Sequence, residues 1–548
     1  MIRKWLAVLG VLIAALLFGF PAVEIAVHGF EISLWPANVV HPSGWFAAWI
    51  STYGLKPLNT YAHMLFGYTD ALGPYGRKAF ASIFAASAFA ILVVFWPRTG
   101  PRRDPNATLG DARWATRRER RQMRVGLELG LDPDRGRPIR VTIESHLVSI
   151  APPRTGKTSG LVIPNLLVPD STSLAGPACV IDPKGEVTRA VAERRRALGR
   201  TVRCFDPLGI AGGDDRWNPV QALNLQDILY LQRVARALLP PAAASGDAVY
   251  FQNRAITAIV GAFLAAHATG EATPAGVAKL LANGAAFSKA LEPLQGVAAE
   301  NAKAILSMDP KGRDAILSTA LQAFDWVADP RLQWATSANT FELDEICGGE
   351  TDLFIPIPTE DLTTLAPLLR WMLCDLFATV RNRRPLERLL CFIDEAATVF
   401  GSQFEEFVLA AGELPGRNVS FWSFWQTQNQ IKDSFGKDGA QTLLNTAEFV
   451  TFSDAPLVDP DGRELLSRAI GNYTVLEEVT TTDEKSGKTS TSTRPTAVRL
   501  MTAEAIGQMP SSDLIVLPNS KRYPKRPLQI RKTAYNDPRL QCLTNNTA

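Results

Sequence analysis

The octapeptide Ala151-Pro-Pro-Arg-Thr-Gly-Lys-Thr158 constrains the fold of this chain more than any other stretch, because it calls for a strand before it and a helix after it. A loop that cradles phosphate needs backbone N–H groups converging on the anion, a lysine for the outer oxygens and a hydroxyl for a divalent cation. Arg154, Thr155, Gly156, Lys157 and Thr158 supply those parts, directly after an apolar run ending at Ile150 and before a helical run from Ser159 to Leu167. Ala151 stands where the G-x-x-x-x-G-K-[ST] pattern has its first glycine, and Pro152 and Pro153 offer no N–H. The amides from Arg154 to Thr158 are intact, so the cradle survives that departure.

A Gly-Lys-Thr by itself is common, and a second element gives it weight. Leu389-Leu-Cys-Phe-Ile-Asp-Glu-Ala396 is an apolar strand ending in two acids. Burying that strand in a parallel sheet puts Asp394 at its carboxyl edge, where it can hold a Mg²⁺ shell through Thr158, and leaves Glu395 to orient the attacking water. The plainer reading is an acid pair favoured by a helix N-terminus, which does not explain the apolar strand. Val419 to Trp425 is a further buried strand, and Gln426 at its end can sense a terminal phosphate. Arg417 sits on the loop entering that strand, an ordinary solvated arginine in a monomer and a finger candidate in an oligomer.

From about residue 140 short β-rich runs alternate with helical ones, which predicts an α/β fold with a parallel sheet covered by helices. Strands are expected at His146–Ile150, Ala178–Ile181, Thr201–Phe205, Asp352–Ile357, Leu389–Ile393, Val419–Trp425, Glu448–Phe452 and Leu514–Leu517. Between Asn218 and about Asn339 the β signal gives way to Ala- and Leu-rich patterns such as Ala255 to His267 and Ala315 to Phe324, an all-helical insertion. Thr480 to Thr493 has no apolar residue and reads as a flexible loop or the tip of a hairpin.

Upstream, Trp5 to Val23 and Ala79 to Pro97 are uncharged apolar stretches of 19 residues each. At about 1.5 Å per residue each nearly matches the ~30 Å hydrocarbon core, so both can span a membrane. A cleaved signal peptide competes for the first stretch, but a second span follows it. After the second come Arg98, Arg102, Arg103, Arg113, Arg117, Arg118, Arg120, Arg121 and Arg124, against Asp104, Asp111 and Glu119, which places that side in the cytoplasm and both termini with it. That arginine run reads as a juxtamembrane stop signal before it reads as a DNA site. Over the whole chain charge is nearly balanced, 57 Lys plus Arg against 54 Asp plus Glu, so no global basic field advertises nucleic acid. Six cysteines without paired spacing and five scattered histidines point away from a disulfide scaffold or a metal centre.

Taken in order, these motifs resemble the type IV coupling proteins (TraG/TraD-like) of conjugation and type IV secretion. The resemblance covers nearly the whole chain: the paired apolar stretches, Gly110-Asp-Ala-Arg-Trp-Ala-Thr116, the Ala-Pro-x-Arg-x-Gly-Lys loop, Asp182-Pro-Lys-Gly-Glu186, Phe205-Asp-Pro207, Trp217-Asn-Pro219, Phe251-Gln-Asn-Arg254, the Asp394-Glu395 strand end, and Gln426-Thr-Gln-Asn-Gln430 with Phe435-Gly436. Phe435 stands for the more usual tyrosine, and the C-terminal extension of longer members has no counterpart, which leaves substrate recruitment to the insertion or to adaptors.

The resemblance implies a RecA-like P-loop nucleotide-binding domain with an all-α insertion domain, preceded by two N-terminal transmembrane helices. Residues 1–100 would be the anchor (spans about 5–23 and 79–97, external loop 24–78), 101–220 the first part of the nucleotide-binding domain with Walker A, 221–340 the insertion, and 341–548 the second part with Walker B. It implies an ATPase of the bacterial inner membrane, working as a homo-hexamer with ATP and Mg²⁺ at subunit interfaces. Lys157 and Thr158 would bind phosphate and magnesium, Asp394 and Glu395 form the Walker B pair, Gln426 act as sensor and Arg417 as the finger. Such an enzyme recruits relaxase-bound single-stranded DNA, effector proteins or both to the membrane components of a secretion channel. Two other readings compete: a membrane-anchored duplex-DNA motor of the chromosome-segregation type, and a docking receptor in which nucleotide only holds the ring together.

Overall fold

The computed structural model describes residues 102–544 apart from 169–173, 175, 240–245, 402–403, 456–457, 483–488 and 535; before residue 102 it describes only Leu9, Ser87 and Ala88. Apart from those three residues, the two apolar stretches expected to span a membrane lie outside the described residues. Among the described residues one helix is long and apolar enough to cross a membrane, Ala248–Ala268, and it is the central helix of the insertion.

Arg103–Ala548 form one compact unit around an eleven-stranded sheet. Its strands are β1 (Leu127–Leu131), β2 (Pro138–Val141), β3 (His146–Ile150), β4 (Ala178–Asp182), β5 (Thr201–Cys204), β6 (Thr351–Pro356), β7 (Leu389–Ile393), β8 (Val419–Trp425), β9 (Ala447–Phe452), β12 (Asp513–Pro518) and β13 (Leu528–Arg531); β10 (Asn472–Thr482) and β11 (Thr489–Arg499) form a separate hairpin. The spatial order is β2-β1-β13-β12-β9-β3-β8-β7-β4-β6-β5. From β9 to β5 all neighbours run parallel, whereas β12, β13, β1 and β2 extend the sheet by antiparallel pairing.

The sheet is thus mixed where sequence reading predicts a parallel one, and of its antiparallel extension sequence reading marks only β12. Every residue of β3, β4, β6, β7 and β8 is buried, as strands covered on both faces must be. Strands β1, β2 and β13 are short and carry Gly130, Pro138, Arg140, Gln529 and Arg531, which break the apolar run that marks a strand. Of the polar Thr480–Thr493 stretch, Thr480–Thr482 and Thr489–Thr493 pair antiparallel within the β10–β11 hairpin, and residues 483–488 between them lie outside the described residues.

The β-free stretch is helical, with α1 (Ile228–Leu238), α2 (Gly246–Ala268) and α3 (Pro310–Leu321) among its elements. It shares one hydrophobic core with the sheet instead of standing apart. Phe263 of α2 and Phe324 contact Trp371 of α4 (Leu362–Asn382) at ring-centroid distances of 5.1 and 6.3 Å. A polar tie accompanies the apolar ones: the Tyr230 hydroxyl of α1 donates to the Asp375 carboxyl of α4 in a buried setting. Across the sheet, Asp352 of β6 takes a two-pronged bond from Arg195 (Nε at 2.7 Å, Nη2 at 2.9 Å) and a third from Arg200 at 2.9 Å. Both Asp352 and Arg195 are fully buried, so removing one partner would strand the other and cost about 3–5 kcal/mol.

Burial pushes the Asp375 carboxyl up to about 8, against the opposing effect of the Tyr230 hydroxyl bond. The folded state therefore holds a proton that the unfolded chain releases near the ordinary carboxyl value, and this contribution to stability is lost as pH rises through about 8. Urea unfolding at pH 6 and pH 9 should show the wild type losing stability across that interval, with Asp375→Asn losing less and being the more stable protein at pH 9.

Candidate active site

Three adjacent strands, β3, β8 and β7, end on the same edge of the sheet, and their C-terminal residues lead into the predicted site. At the end of β3 the chain turns through Ala151, whose N–H donates to the Trp425 carbonyl at 2.8 Å. Thr155 Oγ1 closes the loop on the Pro152 carbonyl at 2.8 Å. Arg154 (φ 62) and Gly156 (φ 75) both take left-handed backbone, the first being unusual for a residue with a side chain. Thr158–Val162 then forms one π-helical turn leading into Ile163–Leu167, so the predicted helical run begins one residue earlier and with a wider turn than the pattern implies.

Thr158 Oγ1 donates to Asp394 Oδ2 at 2.7 Å, across the end of the intervening strand β8. Burial raises the Asp394 pKa, while the Thr158 bond and the nearby Lys157 ammonium pull it down. Glu395 follows in left-handed backbone (φ 50), which turns the chain sharply after the strand. Its carboxylate accepts Gln426 Nε2 at 3.0 Å, and the Gln426 N–H donates to Gln430 Oε1 at 2.8 Å. Lys157 is 8% exposed, and its Nζ has no hydrogen-bond partner among the described residues. A buried ammonium is costly without an anion. The space beside it is a cavity of about 410 Å³ lined by Arg154 to Ser159, Asp394, Glu395 and the Asp182–Glu186 turn. The donor set fits a polyphosphate and a divalent ion: an orphaned ammonium, free loop amides, and a hydroxyl–carboxylate pair.

Eight of the nine predicted site residues converge here: Arg154, Thr155, Gly156, Lys157, Thr158, Asp394 and Glu395 line the cavity, and Gln426 is bonded to Glu395. Arg417 does not. It precedes β8, at the opposite end of the strand from Gln426, and its Nη1 donates to the Arg381 carbonyl at 2.8 Å. At ~3.3 Å per residue the seven-residue strand holds it roughly 20 Å from the site of its own chain. Sequence reasoning misses three contributors. Lys184 and Glu186 line the cavity, and the Asp182-Pro-Lys-Gly-Glu186 turn at a strand end is the signal for them. Lys532 Nζ donates to the Thr155 carbonyl at 2.8 Å and the Ser511 carbonyl at 2.6 Å, bracing the loop from outside, and nothing in the local sequence marks it.

Comparison with known proteins decides the family. The family model described as "Type IV secretory system Conjugative DNA transfer" matches residues 107–547. The chain belongs to this family. Similar curated proteins include the probable conjugal transfer protein TraG of Sinorhizobium fredii, 25% identical over 374 residues (65% of this chain, 57% of that protein). VirD4 of Rhizobium radiobacter is 24% identical over 416 residues (72% and 57%). The chain thus spans little more than half the length of these relatives. Among solved structures, the bacterial conjugative coupling protein TrwBdeltaN70 superposes with a TM-score of 0.59 at 16% identity, covering 79% of this chain and 99% of that one. TrwB has also been solved in complex with ADP and Mg²⁺ (TM-score 0.57, 16% identity, covering 79% and 98%). These likenesses establish the shared coupling-protein fold.

The orphaned lysine makes a distinctive prediction. Replacing Lys157 by Met removes an unpaired buried charge, so thermal unfolding without ligand should occur at a higher temperature than in the wild type. The same variant should lose the stabilisation that nucleotide gives, about 2.7 kcal/mol when ligand stands at 100 times its Kd.

Proposed function

We propose that this chain is a coupling ATPase of the bacterial inner membrane, which recruits relaxase-bound single-stranded DNA, effector proteins or both to a type IV secretion channel and uses ATP hydrolysis to drive or license transfer. The observation that carries this reading is the Thr158–Asp394 bond beside an unpaired buried Lys157, in a chain whose family match runs from residue 107 to 547. The fold corresponds to a RecA-like nucleotide-binding core interrupted at about 221–340 by the helical insertion. Spans at about 5–23 and 79–97, with a loop of 24–78 outside, would anchor it with both termini in the cytoplasm.

In this reading the loop amides from Arg154 to Thr158 and the Lys157 ammonium bind the ATP phosphates. Thr158 and Asp394 hold Mg²⁺, which when bound spreads the charge of the outer phosphates. Glu395, fixed by Gln426 Nε2, orients the water that attacks the terminal phosphorus as its bond to the ADP oxygen breaks, and the proton the water releases passes to the carboxylate. A side chain so far from its own site as Arg417 can act only on a neighbour's, which fits a homo-hexamer with nucleotide at each interface. The loss of such a finger lowers turnover by about 10³–10⁵-fold.

The test uses transfer in cells with each variant present in membranes at wild-type level. Lys157→Ala should abolish transfer, and undiminished transfer would overturn the proposal. Glu395→Gln should bind ATP normally in purified form while transfer is lost; retained transfer would favour a docking receptor in which nucleotide is structural. ATPase activity stimulated by single strands separates the coupling role from that of a duplex-specific motor.

A further inference from the structure

A second cavity, of about 500 Å³, lies where the helical insertion meets the segment following Asp394-Glu395. That is within the ~300–1,000 Å³ range of ligand sites. Its walls carry Arg233 and Arg236 of α1, Gln252 and Asn253 of α2, and Arg370 of α4. Arg370 is 6% exposed. Its guanidinium donates to two backbone carbonyls, Ala237 (Nε, 2.5 Å) and Val399 (Nη1, 3.4 Å), and to no carboxylate among the described residues. Burial lowers its pKa to about 10. Arg236 has no bonded partner among the described residues, and Arg233 lies over the Tyr230 ring at 5.9 Å with Asp227 as its one carboxylate among the described residues, at 4.0 Å. Two acids also line the space, Glu405 and Glu406, but Glu406 is already held by Arg381 at 2.6 Å. Three guanidinium groups thus face a cavity with one uncommitted carboxylate.

A buried guanidinium without counter-charge is costly, and its planar fork matches phosphate oxygens in pairs. The walls also include Gln252 and Asn253, two residues of the Phe251-Gln-Asn-Arg254 motif that the nucleotide site leaves without a role. The Val399 carbonyl that Arg370 holds belongs to the short helix Ala396–Phe400, which starts immediately after Glu395. The Ala237 carbonyl it also holds lies at the end of α1, the helix carrying the other two arginines.

We propose that this cavity binds a phosphodiester group of a single DNA strand, and that Arg370 links its occupancy to the position of Glu395. The inference rests on the reading of the chain as a DNA-coupling ATPase and deepens it by naming where the strand is sensed. A phosphate drawn between Arg233, Arg236 and Arg370 fixes the end of α1 against the Ala396–Phe400 helix, and Glu395 is the residue at that helix's N-cap. Hydrolysis then runs fastest when a strand is engaged.

The experiment uses the full chain in detergent micelles and a fluorescein-labelled oligothymidylate of about 30 nucleotides, long enough to cover a single-strand site, read by anisotropy and by ATPase rate with and without the oligonucleotide. Arg233→Glu with Arg236→Glu, both on the partly exposed face of α1, should weaken oligonucleotide binding by at least about tenfold and remove the oligonucleotide-stimulated part of the rate. Basal ATPase and ATP affinity should stay at wild-type values, and the Lys pair at the same positions should restore most binding. The slope of log affinity against log salt should flatten by about 0.7 for each phosphate that the variant no longer neutralises. Unchanged oligonucleotide affinity and stimulation in the double Glu variant would overturn the site. A wild type that transfers DNA in cells yet binds the oligonucleotide no better than the double Glu variant would also overturn it, leaving the coupling function in place.

Discussion

The hydrogen bond from Thr158 to Asp394 is the interaction on which the arrangement turns. It joins residues 236 positions apart, and it can form only because β3 and β7 lie on either side of β8 and end on the same edge. That placement follows from burial. Five residues of β7 and seven of β8 are inaccessible, so both strands must sit deep in the sheet, and the first polar residues after them emerge together at its carboxyl edge. Lys157 is carried into the same place by the loop and has no partner among the described residues, which makes the site a receptor for negative charge before any ligand arrives.

The helical insertion is bound to this core more closely than the term suggests. Its aromatic residues pack on Trp371, and two buried polar ties cross the same boundary, Tyr230 to Asp375 and Arg370 to the Ala237 carbonyl, the same guanidinium also holding the Val399 carbonyl. Each tie ends on α4 or on the short helix after Glu395. A shift of the insertion would therefore strain directional bonds that end beside the Asp394–Glu395 strand end. The insertion and the nucleotide site are thus joined by short polar links rather than a long lever.

Much of this is legible in the sequence, for a specific reason. Strands buried on both faces are continuous apolar runs, and the eight runs that the sequence marks lie within a residue or so of where the strands form. The phosphate loop and the Asp394-Glu395 pair are local motifs, so their residue types and spacing carry the chemistry. What stays hidden depends on tertiary pairing. Strands β1, β2 and β13 are interrupted by Gly130, Arg140 and Gln529 and become strands through their neighbours. Lys532 reaches the loop from 377 positions away and leaves no local trace. The Arg370 cavity is assembled from five separate helices, one of them carrying Gln252 and Asn253 of a motif legible only as a family mark. Arg417 is legible as a cation entering a strand, but only the strand's direction shows that it faces away from its own site.

That last point leads to the sharpest test, which is complementation between subunits. Purified Lys157→Ala and Arg417→Ala proteins should each be inactive alone. If each site takes its phosphate loop from one subunit and its arginine from the next, rings formed from an equal mixture contain intact pairs at about a quarter of their interfaces. ATPase activity should then return on mixing, toward that fraction of the wild-type rate. A mixture as inactive as its components, or an Arg417→Ala protein with wild-type activity by itself, would contradict a site completed by a neighbour.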